Sequence, residues 1–183
     1  VRQIGLWFSL IAVIGLVIGG MVYLVSQQGT SPTSDPVTIE NTIFADDIIK
    51  GNKDAKTVLI EYSDFQCPAC AFYYPLLKNL SEEFGARLAI IYRHFPLPNH
   101  QHAKTMAYAA EAAGKQGKFW EMHDMIFDNQ KEWLNQSRGG VKNTVVEYAK
   151  SIGLNIEQFE KDFESKEIKQ KVEEHYREGA QAG

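Results

Sequence analysis

The amino-acid sequence predicts an α/β domain: a β-α-β unit with parallel strands, then a block of helices, behind an apolar N-terminal segment. Three observations carry this. Residues 57–62 (TVLIEY) and 88–93 (LAIIYR) are short runs rich in apolar and β-branched residues, without strict polar alternation. That is the pattern of strands covered on both faces, as in a parallel sheet. Between them, residues 67–84 have helical spacing and stop at Gly85, a residue suited to a helix C-cap. From Asn99 onward the period stays helical for about 80 residues. The crossover between two such parallel strands is right-handed.

Taken in chain order, residues 4–25 come first and carry no charge. As a helix at about 1.5 Å per residue they would reach roughly 33 Å, enough to cross a bilayer core. The run exceeds the roughly 7–15 apolar residues of a secretory signal, and no small-x-small cleavage site follows it. It therefore reads as an uncleaved anchor, with a cleaved signal as the alternative. Arg2 precedes the run, and the first charge after it is Asp35. The positive-inside rule puts the N-terminus in the cytoplasm and the remainder outside a single-pass membrane protein. Residues 1–26 are assigned as the anchor. Residues 27–36, rich in Ser, Thr, Gly and Pro, are a flexible linker. Residues 37–183 have the length of one domain.

In the helical block, Asn99 is the expected cap of a helix ending near Gly114. Further helices are expected over 118–127, over 143–152 before Gly153, over 156–163 capped by Asn155 with Gln158, and over about 165–178. Phe119, Trp120, Met122, Ile126 and Phe127 form an apolar helical surface expected to be core. Ile156, Phe159, Phe163, Ile168, Val172 and Tyr176 form one side of an amphipathic pair with a solvated opposite face.

Composition narrows the function. The formal net charge is −4, so no basic face is available for nucleic acid. Two cysteines exclude a disulfide-dense scaffold and a four-cysteine zinc site.

The chemistry concentrates at Cys67-Pro68-Ala69-Cys70. Cys67 falls at the N-cap of the predicted helix, and Pro68 at its first position, where the missing N–H costs nothing. Unpaired amides and the positive end of the helix dipole then favour the Cys67 thiolate. Cys70 follows one turn on, on the same face, close enough for a disulfide after small shifts. A nucleophilic thiol beside a resolving thiol is what thiol–disulfide exchange requires. Two other readings stand beside this one. The pair could be half a zinc site completed by histidines, although His100 and His102 lack the usual spacing. It could also be a structural disulfide, although the loop is too short to stabilise much. Glu61 lies in an apolar strand six residues before Cys67; burial there would raise its pKa and let it exchange a proton with Cys70. Asp64 reads as a solvated turn residue or cap. His94 reads as structural.

The run Glu61-Tyr-Ser-Asp-Phe-Gln-Cys-Pro-Ala-Cys resembles the active-site region of the DsbA-like thioredoxin-fold thiol:disulfide oxidoreductases, and among them the membrane-anchored BdbD type. Gly51-Asn-Lys-Asp-Ala, Arg93-His-Phe-Pro-Leu and Gly117-Lys-Phe-Trp-Glu-Met-His-Asp are similar to other segments of that family, in the same order. The resemblance covers residues from about 48 to the end. It implies a thioredoxin-like fold with an inserted helical block, here about 99–180. It implies Cys67 as the nucleophile, Cys70 as the resolving thiol and Glu61 as the buried acid beneath them. Pro68 and Ala69 complete the motif, and Ala69 stands where the strongest oxidants of the family carry His. A milder oxidant is therefore expected. Pro75 resembles the proline that kinks such active-site helices. The family continues past a segment like Glu178–Gly183 into a cis-Pro loop, a β-hairpin and a final helix. By that resemblance this chain is truncated before them, and no residue takes the cis-Pro role. The implied activity is donation of disulfides to reduced, unfolded secreted proteins, with reoxidation by a quinone-linked membrane thiol oxidase like DsbB or BdbC. No bound cofactor and no metal are needed. A reductase or isomerase of the same fold is the nearest alternative. A non-catalytic metal-binding or chaperone-like module is the more distant one.

Overall fold

The computed structural model describes residues 15–21, 23, 43–44 and 46–182. The chain divides into two compact units, 1–38 and 39–183. In the first, residues 15–21 and 23 are helical and exposed. The rest of the expected anchor over 4–25, and the linker over 27–36, lie outside the described residues. Among the described residues, no helix is long and apolar enough to cross a membrane.

The second unit is built on three strands: β1 (Ile48–Gly51), β2 (Thr57–Ser63) and β3 (Leu88–His94), in the order β1-β3-β2. β2 runs parallel to β3, in register from Thr57 opposite Leu88 to Ser63 opposite His94. β1 runs antiparallel to β3, from Ile48 opposite Tyr92 to Gly51 opposite Ala89. Central β3 is buried along its whole length, as its unbroken apolar run predicts. β2 has the same kind of sequence but lies at an edge among the described strands and is only partly covered. The sequence did not announce β1, which has four residues and is too short to show a period. It ends at Gly51, where φ is +93° and a side chain would run into the Leu88 carbonyl.

Helix α1 (Pro68–Phe84) connects β2 to β3, continues through Pro75, and is capped by Gly85. The helical block then comprises α2 (Ala103–Gly114), α3 (Phe119–Asp128), the single turn α4 (Gln130–Trp133), α5 (Arg138–Ser151), α6 (Ile156–Phe163) and α7 (Lys166–Ala182). Three boundaries differ from expectation. α2 starts at Ala103 rather than after Asn99, because tertiary partners hold the preceding loop: the His102 amide donates to Gln66 Oε1 at 2.7 Å. α5 starts at Arg138 rather than 143, because Ser137 Oγ caps it by accepting from the Gly140 amide. α7 runs on to Ala182. Asn155 does cap α6, accepting from the Gln158 amide at 2.9 Å. The Gln158 side chain turns to Asp162 instead of returning to the cap, and Gln116 Oε1 takes the Asn155 amide.

The core lies between β3, the inner face of α1 and the helical block. Phe119, Met122, Ile126 and Phe127 are buried as expected, with Trp120 packed partly against them. Each such side chain contributes about 1.5–3 kcal/mol of burial. Phe159, Phe163, Ile168 and Val172 bury the apolar sides of α6 and α7. Near its end α7 approaches the sheet so closely that a side chain at Gly179 would strike the rings of Phe95 and Tyr62.

Candidate functional site

The site forms where β2 ends and α1 begins. Cys67 is the N-cap of α1, with extended backbone (φ −73°, ψ 124°), and Pro68 is the first helical residue. The Cys67 carbonyl accepts from the Ala71 amide, closing the first turn. Pro68 has no N–H, so the free donors of that turn are the amides of Ala69 and Cys70, beside the sulfurs. Both thiols are free and half-buried, while Pro68 and Ala69 are exposed.

Side chains to which the sequence assigns no catalytic part hold this loop. Asp64 was expected to be a solvated turn residue or a cap. It is instead 3% exposed and gathers the loop around itself. Its carboxylate accepts from the amides of Gln66 (2.7 Å) and Leu97 (2.8 Å) and binds His100 Nδ1 at 2.7 Å. Its carbonyl accepts from the Cys67 amide at 3.0 Å. Burial is favourable here because both carboxylate oxygens are satisfied. From α4, buried Gln130 donates to the carbonyls of Phe65 (2.8 Å) and Cys67 (3.2 Å). The Asp-x-Gln turn spacing could have signalled Asp64. Nothing local in the sequence signals Gln130, which arrives from 63 residues away.

Beneath the cysteines the environment is buried and sparingly hydrogen-bonded. Burial pushes the Glu61 carboxyl above its ordinary range, partly offset by the nearby Ser63 hydroxyl. Burial likewise pushes the Cys70 thiol up, partly offset by the Asp64 backbone and Ser63, while Cys67 adds to the rise. Tyr92, opposite Glu61 in the parallel register, is fully buried, and burial followed by the negative charge of Glu61 holds its phenol strongly neutral. The hydroxyls of Ser63 and Tyr92 make no hydrogen bond of ordinary length. Ser63 nonetheless lies close enough to Glu61, Cys70 and Tyr92 to favour their charged forms. The structure thus brings Glu61, Cys67 and Cys70 together, with Ser63, Asp64 and Tyr92 around them.

A second buried polar cluster ties α7 to the sheet. His94 Nε2 lies 3.0 Å from Glu111 Oε1, and Lys171 Nζ lies 3.0 Å from Glu111 Oε2. His175 Nδ1 accepts from the His94 amide, and the two imidazoles stack at 5.7 Å. His94 is thus buried and held between Glu111 and His175. His94, Glu111 and His175 each bring one ligand atom within 4.8 Å of the others, a spacing that could hold a cation. The Lys171 ammonium already supplies positive charge to Glu111, and the group includes neither cysteine. Beside it, Arg93 pairs with Asp47 at 2.8 Å with both side chains almost wholly buried.

An α/β sheet that presents a Cys-x-x-Cys pair at the start of the helix after a parallel strand, over a buried acid, defines a thioredoxin-fold dithiol protein. The chain belongs to the family described as Thioredoxin, which it matches over residues 45–183. It is similar in fold to a thioredoxin-like oxidoreductase of Silicibacter pomeroyi (22% identity, 75% of each chain, TM-score 0.62). It is similar to Wolbachia pipientis α-DsbA1 at 18% identity, covering 79% of this chain and 72% of that one, with TM-score 0.67. It is similar to oxidised BdbD of Bacillus subtilis at 19% identity, covering 73% of this chain and 74% of that one, with TM-score 0.62. Among curated proteins it is 35% identical over 155 residues to the Na(+)/H(+) antiporter NhaA 1 of Mycolicibacterium vanbaalenii. That match covers 82% of this chain and 24% of the antiporter, so the chain spans about a quarter of that relative's length.

Proposed function

We propose that the chain is a membrane-tethered, extracytoplasmic thiol:disulfide oxidoreductase that introduces disulfides into secreted proteins. The observation that carries this is the placement of Cys67 at the N-cap of α1, with Cys70 one turn on and Glu61 raised by burial beneath them. A substrate thiolate attacks Cys67 Sγ of the Cys67–Cys70 disulfide. The S–S bond breaks, Cys70 leaves as thiolate, and a Cys67–substrate mixed disulfide forms. A second substrate thiolate then attacks the substrate sulfur of that bond and releases Cys67. The substrate loses two electrons and the cysteine pair gains them. Glu61 gives a proton to the departing Cys70 and recovers it on reoxidation. A thiol raised by burial suits this, because Cys70 is then held neutral once released.

Residues 4–25 serve as the anchor, with residues 37–183 outside the membrane. Relatives named as antiporters support a setting at a membrane. Reduced, unfolded secreted proteins are the substrates, and a quinone-linked membrane thiol oxidase is the partner that restores the disulfide. Equilibration of the full chain against glutathione mixtures tests the reading. A potential of about −180 to −120 mV marks a disulfide donor, and about −270 mV a reductase. Failure of Cys67 and Cys70 to form any reversible disulfide sinks it.

A further inference from the structure

Against Glu61 lies a small cavity whose walls include neither cysteine and which the exchange chemistry leaves unused. Its volume is about 10 Å³, and its walls include Glu61, Lys50, Tyr74, Lys78, Trp120 and His123. That is close to the space of roughly 10–15 Å³ that one water needs. Two of its wall residues carry a buried polar atom without a hydrogen-bond partner, Trp120 Nε1 and His123 Nε2, while the Tyr74 hydroxyl is drawn toward the carboxylates of Asp128 and Asp124. Buried polar atoms are nearly always satisfied, and a donor and an acceptor left open around one water-sized space point to a shared partner.

The chemistry of His123 gives that partner a direction. His123 is 4% exposed, and its Nδ1 lies 2.9 Å from Asp124 Oδ1. A carboxylate can only accept, so Nδ1 carries the hydrogen and Nε2 presents a bare lone pair. Burial holds the ring neutral against the opposing pull of Asp124. Trp120 Nε1 can only donate, and the Tyr74 hydroxyl can do either. A water that accepts from Trp120 and donates to His123 satisfies both. On the far side, Asp124 Oδ2 is 3.4 Å from Lys78 Nζ, and both side chains are partly exposed.

We infer that this cavity is a built water site through which Glu61 exchanges its proton with solvent by way of His123 and Asp124. The inference rests on the reading of Glu61 as the proton partner of Cys70. In the forward direction, the Cys70 thiolate takes the Glu61 proton. Glu61 is then left as carboxylate and is reprotonated from the water. The water takes a proton from His123 in its Nε2–H form while Asp124 passes a solvent proton to Nδ1, which leaves the ring with hydrogen on Nδ1 and Nε2 bare. In the reverse direction Glu61 gives its proton through the water to Nε2, and Nδ1 gives its own to Asp124 and so to solvent, which restores the Nε2–H form. His123 is a positioning residue: it touches the relay and not the sulfurs. The charged and titratable groups facing it are Asp124 on its own helix, Lys50 from β1, Glu61 from β2, Tyr92 and His94 from β3, and Tyr74 with Lys78 from α1.

The test is carried out on the reduced full chain with ¹⁵N-labelled histidine. The His123 Nε2 resonance is followed against pH in the wild type and in Glu61→Gln. The expected result is an inflection at the Glu61 midpoint that disappears in Glu61→Gln. A His123 signal that ignores Glu61 overturns the inference, whatever the redox activity. A second measurement uses His123→Gln, with folding checked by circular dichroism. Proton uptake from solvent after a single turnover, read with a pH indicator, is expected to slow by up to about a hundredfold. An unchanged uptake rate in the folded variant also overturns the inference. Neither signal requires the potential to fall in the donor range, so a reductase would leave the relay intact and refute only the proposed direction.

Discussion

Glu61 and Glu111 are both carboxylic acids taken out of water, yet the protein drives them in opposite directions. Burial is the largest influence on each and raises both. At Glu111, the His94 hydrogen bond and the charges of His94 and Lys171 overcome it and hold the carboxyl down at about 2. At Glu61 the Ser63 hydroxyl offsets burial only in part, and the carboxyl stays above its ordinary range. Glu111 is paired through both carboxylate oxygens and binds α7 to the sheet, although Nδ1 of its partner His94 has no hydrogen bond. Around Glu61, Ser63, Tyr92, Trp120 and His123 all carry buried atoms with no hydrogen bond of ordinary length. Saturated pairing makes a fastening, while incomplete pairing leaves groups free to change protonation state.

The comparison breaks most sharply at the cysteines. Cys67→Ser should reduce disulfide transfer to a model peptide to the uncatalysed background and leave the melting curve nearly unchanged. The paired region should behave in the reverse way. Asp47→Ala takes the nearest carboxylate from buried Arg93, leaving it Tyr62 Oη at 3.1 Å and Glu178 at 3.7 Å among its contacts, and should cost about 3 kcal/mol, read as a fall in Tm, with exchange intact in the folded fraction.

Acid separates the two regions by sign. Glu111 sits below its ordinary 4.5, so its stabilisation is present above about 4.5 and is lost as pH falls toward about 2. Burial lowers His175 from 6.5 to about 3, so the unfolded chain takes up that proton first and stability declines below about 6.5. Glu61 is raised, so its contribution favours the fold at low pH and is lost as pH climbs through its folded value. Melting followed by circular dichroism from pH 7 to 3 should show net loss, steeper in Glu61→Gln than in the wild type. At neutral pH, Glu61→Gln should raise Tm, by about 2–4 °C for each kcal/mol gained, while slowing exchange. A lower Tm there would show that Glu61 is paired after all. The smallest expected effect belongs to Gln130→Ala. Losing its bonds to the Phe65 and Cys67 carbonyls should cost about 1–2 kcal/mol and slow exchange a few-fold.

Much of the fastening was invisible in the sequence, and much of the reactive site was legible. Cys67, Pro68 and Cys70 are contiguous, and helix-start chemistry assigns each a position before any coordinate is known. Glu61 could be read because an acid interrupts an apolar strand. The parallel β2–β3 pair and the apolar surface of α3 followed from period alone. β1 was missed because four residues carry no period and its partner is 38 or more residues away. Asp64 was misplaced in solvent because its satisfaction comes from Leu97 and His100, across a turn that the sequence does not show. The start of α2 was misplaced for the same reason: a glutamine from another loop does the work of a cap. Long-range hydrogen bonds by single side chains leave no local pattern.

One detail of the clamp around Cys67 bears on how such a protein can change over generations. Gln130 grips main-chain carbonyls, and Asp64 grips main-chain amides, so the loop is held by atoms that every residue type possesses. The exposed Ala69 side chain takes no part in that hold. Its identity can therefore drift while the frame stays fixed, and a cation placed there would act on the sulfurs through the first turn alone. A substitution at position 69 would thus change the surroundings of the sulfurs and leave the frame that holds them in place.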